Sequence, residues 1–115
     1  MSGLRVGSTV LNVYVVERAA AFWCAALDYK PRDGAVDPRF TVLVGDGPSV
    51  SLQRSTSVPA GRPHVHLDLY TDDQAGEVER LVGLGAERVD WDYPSDPDFV
   101  VLEDTEGNRF CVIAV

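Results

Sequence analysis

The chain is 115 residues long and carries a formal charge of −8, with apolar side chains at 45% and charged ones at 24%. That length is one domain's worth, able to bury about two-thirds of the unfolded surface, and the composition excludes a disordered, collagen-like or fibrous chain. The negative charge, with Lys30 the single lysine, speaks against nucleic-acid and membrane-surface partners, because phosphate contacts need clustered Lys and Arg.

No apolar run reaches the length of a membrane span, and Met1–Arg5 leads into a strand-like run with no signal-peptide pattern, so the cytoplasm is the expected address. Cys24 and Cys111 are too few and too distant for a disulfide framework or a metal knuckle, and both read as free thiols. The acidic excess falls in the second half of the chain and reads first as a solvated face.

In chain order, Thr9–Val16 is β-branched and apolar and predicts a strand. From Glu17 to Leu27, Ala19, Phe22, Trp23, Ala26 and Leu27 form one helical stripe, which the turn at Asp28–Pro31 ends. A short strand is expected around Lys30–Asp33. Phe40–Val44 and Val50–Gln53 then predict two strands joined by the turn cluster Gly45-Asp46-Gly47-Pro48. Residues 55–63, small, polar and proline-bearing, read as a linker.

The pattern then restarts. His64–Tyr70 predicts a strand, and Gln74–Leu84 a helix with Ala75, Val78, Leu81, Val82 and Gly85 on one stripe, Gly85 standing where a capping glycine belongs. Arg88–Asp92, Phe99–Leu102 and Phe110–Val115 predict strands, with the turn Asp104–Asn108 between the last two. Ser8 matches His66, Phe40 matches Phe99 and Gly47 matches Gly107, at offsets of 58, 59 and 60 residues. The chain is thus expected to be α+β, one domain over residues 1–115 made of two tandem βαβββ repeats, about 6–54 and 64–115.

Four stretches carry a resemblance: Ala21-Phe22-Trp23 through Leu27-Asp28-Tyr29; His66-Leu67-Asp68-Leu69; Leu81 through Leu84-Gly85-Ala86; and Asp104-Thr105-Glu106-Gly107-Asn108-Arg109-Phe110-Cys111. In this order the sequence resembles the vicinal oxygen chelate superfamily of glyoxalases, bleomycin-resistance proteins and dioxygenases, in its glyoxalase-like domain branch. The resemblance covers almost the whole chain. It implies curved mixed sheets forming a cleft, a small-molecule ligand and, in many members, a homodimer.

Family enzymes bind a divalent ion through His, Gln or Glu from the first and last strand of each unit. Carried over through the repeat, those positions fall on Ser8 and Ser51 in the first unit and on His66 and Cys111 in the second. Serine supplies no charge at neutral pH, so the set is too weak for the usual zinc or nickel site, and no cofactor is expected. The alternative is a divalent metal (zinc, nickel, manganese or iron) with His66 as the metal ligand.

His64, His66 and Asp68 share one face of a strand but stand roughly 6.5–7 Å apart per step, too far to converge on one ion unaided. A cleft-lining His66 bonded to Asp68 is the simpler expectation, and His66 with Asp68 is the candidate catalytic pair. Cys111 reads either as a thiolate beside His66 or as a small buried thiol. Asn12, Gln53, Trp91, Tyr93, Phe99 and Cys111 are the candidate ligand-binding residues. The run from Asp90 to Phe99, with its carboxylates, is expected at the cleft's lip and favours a cationic ligand. No GxGxxG, Walker, HExxH or GxSxG motif is present.

Three functions follow as expectations. The first is a metal-independent protein binding a small organic molecule in the cleft between its modules. The second is a glyoxalase-like lyase or isomerase with an atypical metal set centred on His66. The third is a regulatory module whose acidic half docks a basic partner.

Overall fold

The computed structural model describes residues 2–57 and 65–115, and the chain divides into two compact units, Met1–Ser57 and Val58–Val115. His64 and most of the 55–63 linker lie outside the described residues.

In the first unit, β1 (Ser8–Val13) is followed by α1 (Val16–Leu27), β2 (Lys30–Pro31), β3 (Phe40–Val44) and β4 (Ser49–Arg54). The sheet order is β1-β4-β3-β2, with β1 parallel to β4 and the other pairs antiparallel. The expected strand stops at Val13 rather than Val16. Tyr14 and Val15 are exposed, while Val16 is fully buried and opens the helix. β-branched propensity made the run look continuous, and tertiary burial of Val16 overrode it.

With Val16 included, the buried stripe of α1 is Val16, Ala19, Ala20, Phe22 and Trp23, the last two meeting edge to face at 5.0 Å. It packs on the sheet face that carries Leu43, Val50 and Leu52, each at most 5% exposed. Burying each such large side chain contributes roughly 1.5–3 kcal/mol. Asp28 ends the helix in the left-handed conformation (φ 56°), where Tyr29 N–H donates to the Cys24 carbonyl at 3.1 Å. The Tyr29 ring then lies against Gly45, where a Cβ would collide with it, and its hydroxyl donates to the Pro48 carbonyl at 2.8 Å.

The second unit repeats the order: β5 (Leu67–Thr71), α2 (Gln74–Gly83), β6 (Glu87–Arg88), β7 (Phe99–Glu103) and β8 (Arg109–Ala114), in a mixed sheet ordered β5-β8-β7-β6. Each unit is therefore βαβββ, and the chain is α+β as expected. Element ends shift by a residue in several places, and three differences from the sequence reading bear on the site. β5 begins at Leu67, so His66 precedes the strand. The stripe of α2 is narrower, with Val78 and Leu81 buried and Ala75 and Val82 exposed. The strand expected over Arg88–Asp92 is confined to Glu87–Arg88.

That last difference has a visible cause. Val89 N–H still donates to the Val101 carbonyl at 3.1 Å, after which the segment leaves the ladder. The Tyr93 hydroxyl then takes the Val101 N–H at 2.8 Å, replacing the carbonyl a longer β6 would have supplied. No helix among the described residues is long and apolar enough to cross a membrane.

Candidate functional site

The second unit's sheet has two faces of opposite character. Leu102, Phe110 and Val112 are at most 1% exposed and belong to the core. The strand period of two puts Arg109, Cys111 and Ile113 of β8 on the other face. The ladder places Asp68 opposite Cys111 on one side and Val101 opposite it on the other, with Phe99 opposite Ile113 and Glu103 opposite Arg109. Register alone thus assembles one surface from three strands. The segment after β6 adds a wall, because the Arg109 guanidinium lies 5.4 Å from the centre of the Trp91 ring.

The result is a concavity of about 270 Å³ lined by His66, Asp68, Trp91, Phe99, Val101, Arg109, Cys111 and Ile113. Its polar groups are few and placed. His66 Nε2 lies 3.0 Å from Asp68 Oδ1, the bond expected from the sequence. Donor atoms of His66, Asp68 and Cys111 all lie within 4.8 Å of one another. The separation expected along one strand concerned His64, His66 and Asp68, and His64 lies outside the described residues; here His66 precedes the strand and Cys111 comes from the neighbouring one. The Cys111 thiol is pushed above its ordinary range by burial and, secondly, by the Asp68 carboxylate.

Of the candidate residues, His66, Asp68, Trp91, Phe99 and Cys111 meet in this concavity. Tyr93 lines an adjoining depression with Gln74, Arg88 and Val100, its ring 5.3 Å from Phe99. Asn12 and Gln53 belong to the first unit, where Gln53 Nε2 donates to Asn12 Oδ1 at 3.3 Å. The carboxylates of Asp90, Asp92, Asp96 and Asp98 do not line the concavity, so the reason for preferring a cation falls away. Sequence reasoning missed Arg109, Val101 and Ile113. The alternation Arg109-Cys111-Ile113 carried the signal, but the strand was expected to begin at Phe110, one residue after Arg109.

In the first unit the positions matching His66 and Cys111 are Ser8 and Ser51, and their hydroxyls are hydrogen-bonded to each other at 2.6 Å. The position matching Asp68 is Val10, opposite Ser51. Two mutually satisfied hydroxyls and a valine offer no anionic donor, so these residues do not fit the first-unit share of a conventional divalent site.

Residues 8–113 match the family model described as a glyoxalase-like domain. A comparison with curated proteins gives no match. Among solved structures, the chain is similar to a glyoxalase/bleomycin resistance protein/dioxygenase family enzyme from Burkholderia phytofirmans PsJN, with a TM-score of 0.76 at 15% identity over 95% of this chain and 97% of that one. It is similar to the fosfomycin resistance protein FosX of Listeria monocytogenes, with a TM-score of 0.77 at 16% identity over 100% and 92% of the two chains. A mutant of that protein, complexed with Mn(II) and 1S,2S-dihydroxypropylphosphonic acid, gives 0.74 at 15% identity over 99% and 91%. At these identities the likeness is one of fold. The chain belongs to the glyoxalase-like domain family.

Proposed function

We propose that this protein binds a small organic molecule in the concavity of its second unit, without a conventional catalytic metal. The observation that carries the reading is the single sheet face on which Phe99, Val101 and Ile113 surround a few polar groups, His66, Asp68, Arg109 and Cys111. Apolar walls with a small number of oriented polar groups are the usual make-up of a ligand pocket. A volume of about 270 Å³ suits a metabolite-sized ligand, since pockets for drug-sized molecules run roughly 300–1,000 Å³. A cytoplasmic location and a homodimer belong to the same proposal, the dimer because β1 and β5 each pair on one side only within their sheets.

The test is a thermal-shift screen of small organic molecules in excess chelator, followed by calorimetric titration of the hits. Saturable binding of one molecule per chain, raising the melting temperature with ligand concentration, supports the reading. A strict requirement for added metal overturns it.

A second reading rests on the proximity of His66, Asp68 and Cys111. These three would hold a zinc-class ion, for which an imidazole, a carboxylate and a thiolate are suitable donors, and the ion would act as a Lewis acid in a glyoxalase-like lyase or isomerase. Binding would have to remove the Cys111 proton against the burial and the Asp68 charge that hold it on. Elemental analysis of protein purified without chelator tests this reading. Near-stoichiometric metal that His66→Ala abolishes would favour it, and metal-free protein would exclude it.

A further inference from the structure

Arg109 brings a positive charge to the concavity and leaves donors of its guanidinium without a hydrogen-bond acceptor among the described residues. Its side chain is 21% exposed, and its nearest carboxylate contact, Nε to Glu103 Oε1, is 3.6 Å, beyond hydrogen-bond length. A guanidinium carries five N–H donors in a planar fork, and among the described residues that of Arg109 makes an ion pair with Glu103 at 3.6 Å but no side-chain hydrogen bond. The Trp91 ring at 5.4 Å occupies one face of the guanidinium and holds it in place, leaving its edge for a partner. The other charged group in the concavity, Asp68, is engaged by His66 at 3.0 Å.

We infer that the pocket is selective for a small flat molecule carrying an oxyanion, with Arg109 as the residue that reads the charge. This rests on the binding proposal above and names the ligand class. The geometry orders the ligand along β8. Arg109, Cys111 and Ile113 follow one another at about 6.5–7 Å per step, so an anion seated on Arg109 extends its body over Cys111 toward Ile113 and Phe99, which face each other across the ladder. The apolar end carries no charge to satisfy, and the arginine end supplies a planar fork that matches a carboxylate's two oxygens. A phosphonate presents the same chemistry with tetrahedral oxygens.

The test uses probes of one shape and different charge: benzoate, benzamide, benzamidinium and phenylphosphonate, titrated by calorimetry or protein NMR in chelator. Benzoate or phenylphosphonate should bind about 10-fold or more tighter than benzamide, with benzamidinium no tighter than benzamide. The better of the two anions tells a planar from a tetrahedral oxyanion, and either result supports the inference. Arg109→Gln should erase the anion preference, bringing benzoate and benzamide to within about twofold of each other, and Arg109→Lys should keep part of it. Equal binding of benzoate and benzamide, or a preference for benzamidinium, overturns the inference and leaves the pocket as a binding site of other selectivity. Failure of all four probes to bind saturably, with the unsubstituted protein folded by circular dichroism, overturns the inference; ligands from the broader screen then decide the binding proposal separately.

Discussion

Burial and, secondly, the charge of the Asp68 carboxylate opposite it in the ladder hold the proton on the Cys111 thiol. The thiolate is the reactive form, so the pH at which Cys111 becomes reactive must move in the same direction as its pKa. In a Cys24→Ala background, alkylation by iodoacetamide should stay slow through the range where a free cysteine reacts and rise only at higher pH. Asp68→Asn removes one of the two causes and should shift that profile down. An unshifted profile in the Asp68 variant would mean that burial alone sets the thiol. His66 and Asp68 were legible in the sequence as a pair, whereas Cys111 beside His66 was one of two open readings, because its nearness depends on a strand pairing between residues 43 positions apart.

At the scale of elements, the two helices begin and end differently although the units repeat. Asp73 caps α2, its Oδ1 accepting from Gly76 N–H at 3.1 Å, while Val15 gives α1 no side-chain cap. Asp28 closes α1 with φ at 56°, a conformation that glycine adopts without steric cost. Asp28→Gly should therefore stabilise the protein by about 0.5–1 kcal/mol, and Asp73→Ala should destabilise it by about 0.5–2 kcal/mol, both read from urea unfolding. The existence and order of these elements were readable from periodicity. Their ends were not, because Val16 and Tyr93 are assigned by what they touch: a core position in one case and an unpaired Val101 N–H in the other.

For the whole molecule, the two units repeat in topology and diverge in residue type. The same three positions hold Ser8, Val10 and Ser51 in one unit and His66, Asp68 and Cys111 in the other, so polar chemistry has been concentrated in the second. The proposed homodimer rests on β1 and β5, each of which pairs on one side only within its sheet. Sedimentation equilibrium should accordingly give about twice the 12.5 kDa chain mass at micromolar concentration. A mass that stays at one chain across the concentration range would remove the homodimer from the proposal.

By itself the sequence determined the α+β class, the βαβββ repeat and the family, because hydrophobic periodicity and turn residues are local and recur at a nearly constant offset. The weakness of the usual metal positions was an expectation that rested on the family resemblance, which places them on Ser8, Ser51, His66 and Cys111. Only the tertiary structure decided which side chains share the pocket. Arg109 reached it through strand alternation and the Trp91 contact, and Tyr93 was drawn to the edge of β7 by a backbone group that needed a partner. The reason is physical: a side chain's type is written in the chain, but its neighbours are fixed by register and burial, which join residues that the sequence keeps apart.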